Sequence, residues 1–127
     1  MIVELDGSEV RQVLEQGVNG VHGLVQVSGL SFTFDYDAPV DSRIVGDVID
    51  LSTGLPLVPG DTYYVAVNNF MAAGGEDNST LAASPQTDTG VVIRDIVVNW
   101  VMDNSPFTPP DPSVEQRITA LGSPPSP

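Results

Sequence analysis

RIVGDVIDLSTGLPLVPGDTYYVAVNNF, residues 43–70, carries the clearest β-sheet signal in this chain of 127 residues. Its two ends, 43–51 and 62–70, are rich in the β-branched and aromatic residues that favour strands. The middle, 52–61, contains the glycines and prolines that favour turns. We therefore predict two strands joined by a long hairpin loop.

The segment before these strands predicts a strand followed by a helix. IVEL, residues 2–5, has the composition of a strand, and residues 6–18 then change to a helical period. One helical face collects the apolar side chains of Val10, Val13, Leu14 and Val18. Asp6 and Glu9 have the spacing of a capping box at the helix start, with Ser8 as the alternative N-cap.

A period of two follows the helix and predicts further strands. The alternating apolar side chains are Val25, Val27, Leu30, Phe32, Phe34 and Tyr36. Ser28 and Gly29 interrupt this alternation by one residue, which indicates a β-bulge or a kink between two strands.

The C-terminal third predicts a loop, a helix and a last strand. Residues 78–88 have loop composition, and residues 87–104 have helical periodicity with Asp88 or Thr89 as the cap. The face expected to pack inward consists of Val92, Ile96, Val97, Trp100 and Val101. A proline-rich linker at 105–112 and a strand at 113–121 complete this part.

Together these elements follow the order β-α-β-β-β-β-α-β. They predict an α+β fold in which a mixed or antiparallel β-sheet packs with two main helices. We expect one domain at 1–121 with a proline-rich loop at 104–113 inside it, and a disordered tail at 122–127.

The charge balance excludes several classes of partner. Seventeen acidic residues oppose four arginines, which gives a net charge of −13. No basic surface is available for the phosphates of a nucleic acid polymer or of an anionic membrane. The apolar runs are too short to span a bilayer, so membrane insertion is not expected. The chain has no cysteine for a disulfide or a thiolate metal site.

Isolated titratable groups predict ordinary structural roles. His22 is the single histidine and has no nucleophile or second metal ligand at a recognisable spacing, so we expect a solvated turn residue. Three aspartates share one turn but lack the bidentate glutamate of a calcium loop: Asp35, Asp37 and Asp41. We expect no catalytic residue and no metal ligand in this chain.

Arginine side chains are expected to form surface ion pairs, because acids lie near them in sequence. Asp41 and Asp47 flank Arg43, Asp95 follows Arg94, and Glu115 precedes Arg117.

NNFMAAGGEDNS, residues 68–79, has the composition of a small-ligand site. Phe70 can stack on a nucleobase, because every base has a π-face. Gly74 and Gly75 allow close approach to the backbone, and the carboxylates of Glu76 and Asp77 suit a vicinal diol. The alternative is that Phe70 is an ordinary core or loop aromatic at a strand end.

Several of these segments resemble, in order, the C-terminal domain of the 5′-nucleotidase family. They are GLVQVSGLSFTFDYD, SRIVGDVIDLSTGLPLVPGDTYYVAVNNFMAAGG, the long helix and VEQRI, within residues 2–119. The family includes UDP-sugar hydrolases and 2′,3′-cyclic-nucleotide phosphodiesterases. The resemblance implies that this chain is a partial domain, without the upstream part that supplies arginines and a second aromatic.

The resemblance also implies a division of roles within a longer parent. An N-terminal metallophosphatase domain with two divalent metal ions would carry out hydrolysis, and this part would bind the nucleoside without a cofactor of its own. Phe70 matches the phenylalanine that stacks on the base. Glu76 stands where the family has the aspartate that holds the ribose, Asp77 replaces its glycine and Asn78 its aromatic residue. With a shift of one residue, Asp77 would be the acid instead.

The expected partners are a nucleoside or nucleotide and the catalytic domain of the parent. The expected location, by resemblance, is the periplasm, the cell surface or the medium. The alternative function is a non-catalytic extracellular interaction or structural module that kept the scaffold and lost the nucleoside site, which the altered GGEDNS sequence favours.

Overall fold

A computed structural model describes residues 1–109, 111 and 116–124. The elements in chain order are β1 (Ile2–Asp6), α1 (Gly7–Gly17), β2 (Leu30–Asp35), β3 (Ile44–Asp50), β4 (Leu55–Pro56), β5 (Thr62–Ala66), α2 (Asn69–Ala72), a 3-10 turn (Gly75–Asp77), α3 (Ser79–Ala83), β6 (Gln86–Thr87), α4 (Ile93–Asn104) and β7 (Ile118–Leu121).

The strands form two sheets, and the α+β class is confirmed. One sheet has three antiparallel strands in the order β5-β1-β6. The other has four strands in the order β4-β3-β2-β7, in which β2 and β7 run parallel and the other pairs are antiparallel. The prediction left a mixed and an antiparallel sheet open, and the structure has one of each: the four-stranded sheet is mixed and the three-stranded sheet is antiparallel.

The hairpin predicted for residues 43–70 is wrong, because its two strands belong to different sheets. β3 pairs with β2 and turns back onto β4, whereas β5 pairs with β1 along five residues. The backbone N–H and hydroxyl of Ser52 both donate to Asp50 Oδ1 within the β3–β4 turn. These bonds lower the pKa of Asp50 and favour the tight turn over a long loop.

The predicted N-terminus of α1 is confirmed. The Asp6 side chain accepts from the Glu9 N–H at 2.9 Å, and the Glu9 carboxylate accepts from the Asp6 N–H at 2.8 Å. The predicted apolar face is also confirmed, since its four residues are buried. They pack with side chains of both sheets, and the largest fully buried residues are Phe34, Leu5, Leu81, Val3 and Val18.

Polar contacts join α1 to the four-stranded sheet. Glu15 is 7% exposed, and its carboxylate accepts from the backbone N–H groups of Arg43 at 2.7 Å and Ile44 at 2.9 Å. Arg11 donates to the carbonyls of Ile44 and Gly46. Arg43 donates to the carbonyls of Val18 and Ala38 and forms none of the predicted ion pairs among the described residues.

Residues 25–27 form no strand, which corrects the first half of the predicted alternation. The Val25 N–H donates to the Gly17 carbonyl, and a Cβ added to Gly17 would lie 2.6 Å from the Val25 Cβ. Val25 therefore packs against the end of α1 instead of pairing with a strand. The irregularity in β2 lies between Ser31 and Thr33 rather than at Ser28 and Gly29.

Two further predictions after β5 are wrong. The strand predicted at 62–70 ends at Ala66, because Asn68 caps α2 by accepting from the Met71 N–H at 2.8 Å. The loop predicted at 78–88 contains α3 and the short strand β6. Gln86 joins these elements, since its side-chain amide donates to the carbonyls of Ala72 and Leu81.

The second main helix forms as predicted, but its expected inward face is exposed. α4 begins at Ile93 after Val92, and neither Asp88 nor Thr89 caps it, because their side chains accept from the N–H groups of residues 90 and 91 in the preceding turn. Trp100 is 52% exposed, and no residue of α4 is buried. The apolar pattern is correct for a helix, but its partner is not among the described residues.

Two predictions for the C-terminal part are confirmed, and others concern residues outside the described part of the chain. Arg94 pairs with Asp95 at 2.8 Å, as predicted, and the last strand is present as β7. Glu115, the predicted partner of Arg117, lies outside the described residues, as do 110, 112–114 and 125–127. The bounds 1–121, 104–113 and 122–127 stay predictions. Within the described part of the chain, no helix is long and apolar enough to cross a membrane.

Replacement of Glu15 with glutamine should lower the free energy of unfolding by about 1–3 kcal/mol. The amide oxygen can accept one of the two backbone bonds, but the amide nitrogen would face the other donor. Urea unfolding followed by circular dichroism measures the change. Glu4 is exposed on β1, so Glu4→Gln is the matched control and should change stability by less than about 0.5 kcal/mol. Equal effects of the two substitutions would contradict the role given to Glu15.

Phe34→Ala and Trp100→Ala should differ strongly in their effect on stability. Phe34 is fully buried, so its truncation should cost about 3–5 kcal/mol. Trp100 contacts the Phe107 ring at 5.5 Å between centroids but is half exposed, so its truncation should cost less than about 1.5 kcal/mol. The same unfolding measurement tests both. A large loss with Trp100→Ala would mean that α4 packs onto the core.

Candidate functional site

Phe70 lies on α2, directly after the strand that pairs with β1. The Asn68 side chain fixes the start of this four-residue helix. Phe70 is 59% exposed, although side chains of the preceding strand, β5, pack against the core. The ring is therefore available to stack on a flat ligand. Its exposure rules out a core position, and an ordinary surface aromatic stays the alternative.

The Phe70 ring packs directly against Gly75. A Cβ added to Gly75 would lie 2.5 Å from two ring carbons of Phe70, which no real side chain allows. Gly74 adopts a φ of +93°, a left-handed conformation that favours glycine. We predicted the glycines as points of close approach for a ligand, but at Gly75 the space is taken by the Phe70 ring. The lack of a side chain at Gly75 thus gives the aromatic ring its place.

Glu76 and Asp77 form a strained turn beside this ring. Their φ angles are +57° and +61°, and a left-handed conformation costs a non-glycine residue of the order of 1–3 kcal/mol. Asn78 holds the turn in place: it is 3% exposed, and its Nδ2 donates to the carbonyls of Gly75 at 2.7 Å and Glu76 at 3.3 Å. Asn78 is therefore a support for the backbone, a role that sequence analysis did not identify.

Gln16 at the end of α1 holds the start of α3, the helix that follows the turn. Its amide nitrogen donates to the Ser79 hydroxyl at 3.0 Å, and its amide oxygen accepts from the Thr80 N–H at 3.4 Å. The helix that joins the two sheets thus also positions α3. Separations of 63 and 64 residues explain why no local sequence signal revealed these contacts.

His22 contacts the acidic turn. Its Nε2 lies 3.0 Å from Asp77 Oδ2, and the two side chains are 41% and 69% exposed. His22 is exposed, as predicted for a turn residue, but this pairing was not predicted. The two residues are 55 positions apart in sequence.

A cavity of about 250 Å³ lies between the acidic turn and the segment that follows α1. Its polar walls come from Gln16, Asn19, His22, Gln26, Glu76 and Asn78. Phe70 and Asp77 do not line it. A cavity with one carboxylate, an imidazole and amides can exchange hydrogen bonds with a hydroxylated group.

The five predicted site residues thus lie within one short segment but in different surroundings. Phe70 rests on Gly75, Gly74 supplies the left-handed bend, Glu76 lines the cavity and Asp77 pairs with His22. Their roles in binding stay predictions. Among residues 1–109, 111 and 116–124, no three His, Cys, Asp or Glu side chains lie close enough to hold a metal ion.

Comparison with known proteins gives the family of the chain. The family model described as “5′-nucleotidase, C-terminal domain” matches residues 1–83. This match contains β1, α1, both sheets' central strands and the entire Phe70–Asn78 segment.

Two proteins have sequences similar to that of this chain. The trifunctional nucleotide phosphoesterase YfkN of Bacillus subtilis is 33% identical over 102 residues, which is 75% of this chain and 7% of that protein. The cell wall protein Lmo0130 of Listeria monocytogenes is 27% identical over 110 residues, which is 80% of this chain and 13% of that protein.

A solved structure supports the same assignment. The 5′-nucleotidase precursor of Thermus thermophilus superposes with a TM-score of 0.84 and 31% identity. The match covers 97% of this chain and 25% of that one, so this chain spans a quarter of the length of its structural relative. From its sequence match and its fold, the chain belongs to the family of 5′-nucleotidase C-terminal domains.

Proposed function

We propose that this chain recognises a nucleoside or nucleotide through residues 70–77, as the C-terminal portion of a 5′-nucleotidase-type phosphoesterase. The parent would hydrolyse nucleotide phosphate esters in nucleotide catabolism. The observation that carries the proposal is the exposed Phe70 ring, which is seated on Gly75 next to a strained turn with two carboxylates.

The Phe70 ring is suited to the base. The contact with Gly75 limits its motion, so little conformational freedom is lost when a base stacks on its open face. Stacking of a base on an aromatic side chain contributes about 1–3 kcal/mol and tolerates any base.

The acidic turn is suited to the sugar. Glu76 or Asp77 can accept hydrogen bonds from two vicinal hydroxyls, and hydrogen bonds to a charged group are the stronger ones. Strained non-glycine residues persist where the surrounding structure holds them, and such positions cluster at ligand sites. Asn78 provides that hold here, and Gln16 positions α3, which follows the turn.

Hydrolysis is assigned to another domain of the parent. The described residues of this chain do not fit a dimetal centre, so we derive no catalytic step from them. We propose that the parent carries its two divalent metal ions in an N-terminal domain, and that this chain alone has no hydrolase activity. The exposed apolar helix α4 supports a longer parent, because a helix that is apolar on most sides is normally buried.

We propose a periplasmic, cell-surface or secreted location. The support comes from the names of two similar proteins, a cell wall protein and a nucleotidase precursor.

The second candidate function is a non-catalytic cell-surface module that kept the scaffold without the nucleoside site. Similarity to the Listeria cell wall protein favours it.

An amide-correlation NMR titration of this chain with adenosine separates the two candidates. The nucleoside proposal expects shifts concentrated at residues 69–78, and the module expects none on a well-dispersed spectrum.

Phe70→Ala should weaken adenosine binding by about 5- to 150-fold, because it removes the stacking surface. Phe70→Tyr should bind within a few-fold of the unchanged chain. Tyr64 is the matched control, since it is a more exposed aromatic residue on β5. Dissociation constants from the NMR titration give the result, and an equal loss with Tyr64→Ala would contradict a specific role for Phe70.

Gly75→Ala should weaken adenosine binding about as much as Phe70→Ala does. The added methyl group would occupy the place of the ring and displace it. Gly60→Ala is the control, because nothing lies within 4 Å of its added Cβ. The same titration measures both variants. Unchanged binding with Gly75→Ala would show that the seated position of the ring is unimportant for the ligand.

A further inference from the structure

Asn19 and Gly20 form the single Asn-Gly pair of the sequence, in the segment that follows α1. Asn19 is half-buried and Gly20 is exposed. The Asn19 Oδ1 accepts from the Val21 N–H at 2.9 Å, whereas the Gly20 N–H donates to no acceptor among the described residues. The backbone nitrogen next to the asparagine side chain is therefore free to react with it.

We infer that Asn19 is a site of spontaneous deamidation, at which its side-chain amide is lost to attack by the backbone nitrogen of Gly20. This nitrogen forms a bond to Asn19 Cγ, and the side-chain nitrogen leaves as ammonia with the proton that Gly20 gives up. Water then opens the five-membered succinimide at either carbonyl, which leaves aspartate or isoaspartate at position 19. Water is the only co-reactant.

Two neighbouring groups favour the first step. Attack on Cγ places a negative charge on Oδ1, and the Val21 N–H already donates to that atom, as a donor in an oxyanion hole does. The attacking nitrogen must lose its proton, and a nearby cation stabilises the resulting anion. Arg43 supplies that cation, since a Cβ added to Gly20 would lie 3.3 Å from Arg43 Nη1.

The Arg43 side chain is itself held in place. Its Nη1 donates to the Val18 carbonyl at 2.6 Å, and its Nε donates to the Ala38 carbonyl at 3.3 Å. Gly20 has a φ of +87°, a left-handed conformation that favours glycine, and the lack of a side chain keeps the approach to Asn19 open. The fold therefore keeps the reactive pair and the cation together.

Similar positions elsewhere in the chain lack this arrangement. Asp6 also precedes a glycine, but its side chain accepts from the Glu9 N–H, and Gly7 is buried at the start of α1. Asn78 is 3% exposed, and its Nδ2, the group that would leave, donates to the Gly75 carbonyl at 2.7 Å. The reaction should therefore be selective for Asn19.

Deamidation would change the wall of the cavity beside α1. Asn19 lines this cavity together with Glu76. A side-chain amide donates and accepts hydrogen bonds, whereas the carboxylate that replaces it only accepts them. The product therefore adds a second carboxylate to the cavity and removes a donor from it. This change does not depend on the proposed function.

The test follows deamidation of the whole 127-residue chain in neutral buffer by mass spectrometry of tryptic peptides. Cleavage at arginine gives a peptide of residues 12–43 that contains Asn19 and no other asparagine, and the other five asparagines fall in peptides 44–94 and 95–117. The same chain unfolded in guanidinium chloride is the reference.

We expect peptide 12–43 of the folded chain to be converted first, and no more slowly than in the unfolded chain. Slower conversion of Asn19 in the folded chain than in the unfolded one would overturn the inference, because the fold would then protect the site. Earlier conversion of either other peptide would overturn it as well.

Arg43→Gln should slow the conversion of Asn19 in the folded chain by about tenfold, because the cation beside the attacking nitrogen is lost. Arg43→Lys keeps the charge and should slow it by less than about threefold. Neither change should matter in the unfolded chain. Arg94→Gln is the matched control, since Arg94 pairs with Asp95 on α4, and it should leave the rate unchanged.

Circular dichroism shows whether each variant is folded, and the comparison of the folded and unfolded unchanged chain tests the inference without any variant. Equal rates for Arg43→Gln and the unchanged chain would overturn the role given to Arg43.

Asn19→Asp carries the side chain of one product. In an amide-correlation NMR spectrum it should shift the signals of His22 and Glu76, which line the same cavity, but not those of β1. Unchanged signals at His22 and Glu76 would overturn the effect on the cavity.

Discussion

The carboxylate of Glu15 is the contact on which the arrangement of the two sheets depends. α1 follows β1 without a loop, so it belongs to the three-stranded sheet by chain connectivity. Through Glu15 it also accepts two backbone bonds from the start of β3, in the four-stranded sheet. A buried carboxylate is costly unless it is hydrogen-bonded, and here two N–H groups meet that need. Charge and chain connectivity therefore fix the two sheets relative to each other.

The same helix, α1, positions the candidate site. Gln16, the residue after Glu15, anchors α3, and the segment beyond α1 brings His22 to Asp77. Gly75 then leaves room for the Phe70 ring beside this turn. A strained turn survives because rigid elements hold it from two sides. In this fold the candidate site is thus built from a local sequence segment and a distant support.

Local signals predicted the parts of the fold that depend on neighbouring residues. The capping box of α1, its apolar face and the α4 helix follow from spacing alone. The pairing of β5 with β1 cannot be predicted in this way. The alternation along a strand shows which side chains share a face of the sheet, but not which strand lies beside it. The contact between His22 and Asp77 spans 55 residues and has no periodic signature. The five candidate site residues could be proposed from the sequence because they lie in one contiguous segment, and their roles in binding stay predictions.

α4 shows what an apolar pattern does and does not determine. Its periodicity predicted a helix correctly, but the expected packing of Trp100 against the core was wrong. An apolar helix face indicates that the helix is buried somewhere, but it does not show against which surface. Isolated helices of this length are marginally stable in water. The structural relative on which 97% of this chain superposes is about four times as long, since the chain covers 25% of it, so the longer parent that we propose would have further surface against which α4 can be tested for burial.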